Sequence, residues 1–151
     1  MSNDFDVQRG SCQCGGVTYE ILEPPLVSLV CHCMDCQKLS ASAYSATLTF
    51  RAQALRVHGE LRQWQRIADS GTPNRAHFCP TCGNRIFHDN PQDPALRRLK
   101  PGTLDSHPIP APEIHVWVSR KQPWVEIPDG MPTFEHNAYD LKTVIGRDVQ
   151  D

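Results

Sequence analysis

Apolar and polar positions change over quickly along this chain, and no stretch holds a 3.6-residue period for long. Residues 61–67, Leu-Arg-Gln-Trp-Gln-Arg-Ile, interleave apolar and polar side chains and are expected to form a half-buried strand. Residues 16–22 and 43–50 are rich in β-branched and aromatic side chains and also predict strands, with further short ones at 75–79, 84–88 and 113–118. One or two helical turns are predicted at 35–39. Nine of the 13 prolines lie between Pro91 and Pro132, and those from Pro91 to Pro112 interrupt regular structure. They predict a fixed loop covering one side of the domain. The polar tail beyond Phe134 is expected to fray. The pattern as a whole is mainly β, with one or two short helices.

Composition narrows this picture. The 151 residues suit one ordinary domain, 1–151, with a core over about 8–134 and a polar tail at 135–151. A hydrophobic share of 39% is enough for a core. The net charge of −2 gives no global reason to bind nucleic acid or an anionic membrane, so neither is an expected partner. The longest apolar run, 26–31, is far too short to span a bilayer. The opening residues, Met1-Ser-Asn-Asp-Phe-Asp6, have neither the basic region nor the apolar run of a signal peptide. A cytoplasmic, reducing location is therefore expected.

The cysteines carry the chemistry. There are seven, as Cys12-Gln-Cys14, Cys31-His-Cys33-Met-Asp-Cys36 and Cys79-Pro-Thr-Cys82. An odd number at these spacings in a reducing compartment points to metal ligands rather than a disulfide framework. In the first and last clusters a glycine follows the final cysteine, permitting the left-handed turn that aims N–H groups at sulfur. Each supplies half a tetrahedral site. Pairing them gives a closed, structural zinc at Cys12, Cys14, Cys79 and Cys82. Cys31, Cys33 and Cys36 then hold a second zinc with a position open to substrate or water, making two Zn²⁺ per chain. A different partition joins the central cluster to one glycine-bearing pair. The second site can also be closed by a fourth protein ligand, with His77, His88 and His115 as candidates; His32 should point to the opposite face.

Three thiolates on Zn²⁺ leave a formal charge of −1, a weaker Lewis acid than zinc on neutral imidazoles. Soft ligands favour sulfur–carbonyl chemistry over peptide or phosphate hydrolysis. Lys38 is a candidate to offset the negative charge or hold a substrate carboxylate, against the reading of a surface helix residue; Gln37, Ser40, Ser42 and Tyr44 are candidate supports for the site. Trp64, Trp117 and Trp124 read as packing, and Asp105 as a turn residue.

Taken in order, Gly10-Ser-Cys-Gln-Cys-Gly-Gly-Val-Thr-Tyr-Glu20, Cys31-His-Cys-Met-Asp-Cys-Gln-Lys38, Phe78-Cys-Pro-Thr-Cys-Gly83, Gly102-Thr-Leu-Asp105 and His115-Val-Trp-Val-Ser-Arg-Lys-Gln-Pro-Trp-Val125 resemble the glutathione-dependent formaldehyde-activating enzyme family, which includes the centromere protein V-like proteins. The resemblance runs from about Gly10 to Phe134. It implies several small coiled antiparallel sheets of the β-tent type organised around zinc. It implies a structural zinc at Cys12, Cys14, Cys79 and Cys82, and a catalytic zinc at Cys31, Cys33 and Cys36. The implied activity joins glutathione, or another small thiol, to a small aldehyde as in S-(hydroxymethyl)glutathione synthesis, a carbon–sulfur lyase reaction run in reverse. The alternative is a non-catalytic zinc module for protein interaction or for sensing thiols and electrophiles; a fourth protein ligand on the second zinc would mark it. The oligomeric state is not indicated.

Overall fold

The computed structural model of the chain describes residues 4–105, 108–138, 142 and 146–147. Its strands are β1 (Gln8–Ser11), β2 (Thr18–Ile21), β3 (Val27–Cys31), β4 (Ser45–Arg51), β5 (Leu55–His58), β6 (Arg62–Ile67), β7 (Pro73–Phe78), β8 (Arg85–Asn90), β9 (Asp93–Leu99) and β10 (Ile114–Val116). The α-helix α1 (Met34–Ser40) separates β3 from β4. The mainly-β expectation with short helix holds.

β1, β2 and β5 form one antiparallel sheet, and the other seven strands form a second in the order β10-β3-β4-β9-β8-β7-β6. All pairs are antiparallel except β3–β10, where Cys31 lies beside Val116 in parallel register. The main core lies between the sheets. Val17, Tyr19, Ile21 and Leu55 from the small sheet side meet Leu48, Phe50, Ile86 and Leu99 from the large one, and Cys12 and Cys79 are buried in the same cluster. A second cluster of Val27, Ile114 and Val116 packs at the β3–β10 edge.

Two hairpin turns carry cysteine pairs. The β1–β2 turn is closed by Cys12 N–H donating to Val17 O at 3.0 Å, with Gly15 at φ 78°. The β7–β8 turn is closed by Cys79 N–H donating to Asn84 O at 3.0 Å, with Gly83 at φ 76°. At those two angles a side chain is strained, which is why glycine follows the cysteines.

The proline-rich region departs from the expected loop. Asp93–Leu99 is a strand, hydrogen-bonded to both β4 and β8. Pro94 is tolerated because the β4 pairing begins only at Leu96, so no partner on that side needs its missing N–H. Residues 108–112 do run as loop, and Pro110 O accepts a bond from Ser28 Oγ at 3.3 Å. The strand expected at 113–118 stops at Val116, because Trp117 takes a left-handed backbone (φ 56°) and starts a 3-10 turn at Val118–Arg120.

Much of the tail lies outside the described residues. Of the part described, Trp117 N–H and Val118 N–H donate to His136 O and Phe134 O, and Arg147 grips Glu113 at 2.6 Å while its Nε donates to Leu26 O at 2.9 Å. Among the described residues no helix is long and apolar enough to cross a membrane.

Candidate metal centres and active site

The two hairpin turns bring their thiols together across 65 residues. The sulfurs of Cys12, Cys14, Cys79 and Cys82 all lie within 4.8 Å of one another. Cys14 Sγ is 3.6 Å from the sulfurs of both Cys12 and Cys79. Tetrahedral zinc with Zn–S near 2.3 Å needs ligand sulfurs about 3.8 Å apart, so the four fit that ion. Backbone N–H groups already point at the sulfurs: Val17 to Cys12 at 3.3 Å, Gly16 to Cys14 at 3.4 Å and Thr81 to Cys79 at 3.4 Å. Such donors favour thiolate. The Asn84 N–H, with other donors, pushes the Cys82 thiol down to about 6.

The central cluster is built differently. Cys31 ends β3, Cys33 caps α1, and Cys36 sits in the helix's first turn. Cys33 Sγ accepts the Cys36 N–H at 3.3 Å, so one atom is both helix cap and candidate ligand. The three sulfurs lie within 4.8 Å of one another, and among the described residues no histidine or carboxylate joins them. The histidines considered as a fourth ligand are engaged elsewhere. His88 lies 3.1 Å from Asn74 Oδ1 through Nδ1 and 3.3 Å from Arg85 Nη1 through Nε2. His77 Nε2 lies 2.9 Å from Asp89 Oδ1. His115 Nδ1 meets His32 Nε2 at 2.8 Å, in a buried pair with rings 5.1 Å apart. The Cys31 and Cys36 thiols bond to Cys33 and push it down to about 2, while the same contacts push Cys31 up.

The three thiols open onto a cavity of about 550 Å³. Its wall includes Lys100, Arg98, Arg66, His88 and Trp117. Lys100 Nζ donates to Ser45 Oγ at 3.0 Å and Thr47 Oγ1 at 3.1 Å. Ser45 is the direct cross-strand neighbour of Cys31, which sets the ammonium beside the thiols. Burial holds the Lys100 pKa down, and the Cys36 and Cys31 thiolates work against that. Arg66 donates to Asp35 Oδ2 at 2.9 Å and ties α1 to β6.

The residues singled out beside the cluster fall in several places. Lys38 is exposed on the outer face of α1, where a shallower hollow of about 430 Å³ lies against Met34 and Trp124. No thiol lines that hollow, so the chemistry belongs to the larger cavity. Gln37 is a brace: its Nε2 donates to His32 O at 2.8 Å and Arg120 O at 3.0 Å, and its Oε1 accepts from Gln122 at 2.8 Å. Ser40 Oγ lies within hydrogen-bond reach of two carbonyls, Cys36 O at 2.8 Å and Tyr44 O at 2.9 Å, and its one proton serves either. Ser42 lines the outer hollow, and Tyr44 packs edge-on against His32. Trp117 is cavity wall as well as packing, with Nε1 donating to Asn137 Oδ1 at 2.7 Å. Trp124 and Trp64 are 73% and 52% exposed, so neither is core. Asp105 accepts from Ser11 Oγ at 2.6 Å, a turn role away from the cavity. Lys100 and Arg98 were missed because they lie within the proline-broken region, between Pro94 and Pro101; the two cations spaced two apart, on one face of any strand there, were the available signal.

Fold and site together define a mainly-β domain with two thiol clusters suited to zinc, one closed by four sulfurs and one facing a cavity. The model of the family described as glutathione-dependent formaldehyde-activating enzyme matches residues 7–120, and the chain belongs to that family. A Halomonas elongata protein described as "Putative glutathione-dependent formaldehyde-activating enzyme" is 32% identical over 125 residues, covering 79% of this chain and 80% of its own. A Rhodobacter sphaeroides protein of known crystal structure superposes with a TM-score of 0.51 at 25% identity, covering 66% of this chain and 90% of that one.

Proposed function

We propose that this chain is a zinc enzyme of the carbon–sulfur lyase class that joins a small thiol, with glutathione as the family name suggests, to formaldehyde or another small aldehyde, or runs the reaction backwards, in a reducing cytoplasm. The observation that carries this reading is the convergence of three thiols, without a fourth described ligand, on a cavity that also holds Lys100. In it Cys12, Cys14, Cys79 and Cys82 hold a structural zinc, and Cys31, Cys33 and Cys36 hold the catalytic one. Zinc held by Cys31, Cys33 and Cys36 would supply a Lewis acid at the cavity.

The chain's own residues then act as follows. The Lys100 ammonium, fixed by two hydroxyls, favours the thiolate form of an incoming thiol. The thiol releases its proton to solvent and the thiolate sulfur attacks the carbonyl carbon; a C–S bond forms as the C=O π pair moves to oxygen, which takes a proton back from solvent to give a hemithioacetal. The walls hold both reactants together, and proximity supplies most of the rate gain.

Exchange NMR on glutathione and formaldehyde with catalytic amounts of the zinc-loaded protein tests this. Uncatalysed adduct formation is itself fast, so exchange rates and not endpoints are read. Faster exchange that disappears in Cys33→Ser is expected; rates equal to background would overturn the assignment.

A further inference from the structure

The cavity wall holds a cation that the chemistry above leaves unused. On β9, Arg97 and Leu99 face the core, where the Arg97 guanidinium lies 4.7 Å over the Phe87 ring and donates to Leu55 O at 3.0 Å. Arg98 takes the opposite side, on the cavity wall, in register with His88 of β8 and Thr49 of β4. Arg98 is an exposed residue of β9, and its guanidinium makes no hydrogen bond and no ion pair with any described residue. Asp89 and Asp93 act on it only through space. Asp89 is already committed, accepting from Arg75 at 2.9 and 2.7 Å and lying 2.9 Å from His77. The other cations around the cavity have partners: Arg66 on Asp35, Lys100 on Ser45 and Thr47, and Arg85 beside His88.

A guanidinium presents a planar fork of donors matched to a carboxylate, and one left without a partner in a concave site is shaped for a ligand anion. The cavity's charge agrees. With Arg66 paired to Asp35 and Asp89 paired to Arg75, the lining leaves two cations, Lys100 beside the thiols and Arg98 farther along the same face of the sheet, against one exposed carboxylate, Asp69. Its volume of about 550 Å³ lies within the range for ligands of many atoms and far exceeds what a one-carbon aldehyde fills.

We infer that Arg98 is a specificity-determining residue, which takes the carboxylate of a carboxylate-bearing thiol whose sulfur sits at the three-thiol centre. This rests on the thiol chemistry proposed above. Two cations then meet two anions: Lys100 the thiolate, Arg98 the carboxylate. Selection falls on the charge of the thiol more than on any peptide framework.

The test uses protein with cobalt(II) in place of zinc, whose sulfur–cobalt absorption reports a thiol arriving at the metal. The probes are 3-mercaptopropionate and its amide, near-isosteres that differ in charge. The acid is expected to bind the wild type roughly ten-fold more tightly than the amide. In Arg98→Gln that ratio falls to near one; in Arg98→Lys, which keeps a charge but loses the fork, it is intermediate. Unchanged cobalt spectra of the unliganded variants check that the site is intact. Equal affinities in the wild type, or a preference that survives in Arg98→Gln, overturn the role of Arg98 and leave the thiol reading standing. Spectra that neither thiol perturbs overturn both.

Discussion

The Tyr19 hydroxyl and Thr103 Oγ1 lie 2.8 Å apart in the core, and Thr103 Oγ1 also lies 2.8 Å from Lys100 O, so the small sheet reaches the cavity wall through two hydroxyls. The chain of bonds runs from Tyr19 O–H to Thr103 and from Thr103 O–H to the carbonyl. Gly10 makes room for it: a Cβ there would come within 2.1 Å of the Tyr19 ring. Burial, the largest cause, pushes the Tyr19 pKa up to about 12, against the bond to Thr103. A raised folded pKa means that the stability is present in full below about pH 10 and is lost as pH climbs from there through about 12. Tyr19→Phe is expected to cost about 1–2 kcal/mol near neutrality. It should also flatten the alkaline limb, so that urea-melt curves of the two proteins converge above pH 10. Parallel curves would show that Tyr19 is not the titrating group.

How far the sequence foretold this varies by element. The cysteine groupings were legible because a turn glycine is a local requirement, visible beside Cys14 and Cys82 without knowing what the turn faces. β6 and α1 fall where a strand at 61–67 and helical turns at 35–39 are predicted, but the half-burial expected of that strand is absent, since Trp64 and Ile67 are exposed. β9 was hidden because Pro94 reads as a breaker until one knows that β4 pairs only from Leu96 onward. The role of Lys100 was hidden because it depends on the register that sets Ser45 opposite Cys31. Lys38, nearer in sequence to the thiols, sits on the wrong side of a seven-residue helix.

The two thiol clusters should fail in different ways. Cys79 is buried in the main core and joins turns 65 residues apart through Cys14, so Cys79→Ser is expected to remove the cooperative thermal transition along with its zinc. Cys33→Ser should keep the fold, because serine is a better helix cap than cysteine and its Oγ can accept the same Cys36 N–H. Its metal content should fall by one zinc while its melting temperature stays within a few degrees of wild type, by the general scale of surface substitutions, about 0.5 kcal/mol. An unfolded Cys33→Ser protein would contradict this division.

Acid should begin to destabilise the protein well above the carboxylate range. Burial, the largest cause, with help from the Lys100, Arg85 and Arg66 charges, pushes His88 down to about 2. A lowered folded pKa on a base means that folding favours the neutral ring. Its contribution is present above about pH 6.5 and is lost as pH falls from there toward the folded value, by up to about 1.4 kcal/mol per pH unit. His32, pushed down to about 4 mainly by burial, acts in the same direction. Thiolate protonation and metal release also contribute in acid. The contrast with His88→Gln separates these, since metal release is common to both proteins and only the wild type carries the His88 proton. Denaturant melts between pH 6.5 and 5 should show a shallower decline in the variant; identical slopes would remove His88 from the account.

Lys100 offers the sharpest test of how the cavity works. Its Nζ is fixed by Ser45 and Thr47 on β4, beside Cys31, and burial makes its charge costly to keep there. A buried charge retained without a carboxylate partner is expected to serve the anions it faces, and not stability. Lys100→Met should therefore melt at or above the wild-type temperature, since the methionine stem fills the same space without the desolvation cost. Catalysed thiol–aldehyde exchange should fall by about ten-fold or more, in line with the loss of one preorganised electrostatic contact. The sign of the pH effect follows from the charge. A neighbouring cation lowers the pKa of a thiol arriving at the site, so its removal moves the pH dependence of thiol binding to higher pH. Lys100→Arg keeps the charge and should hold the pH profile near wild type even if the rate drops, because the larger fork cannot sit on the two hydroxyls in the same way. A Lys100→Met protein with lower rate and an unmoved profile would mean that Lys100 shapes the cavity without acting on the thiolate.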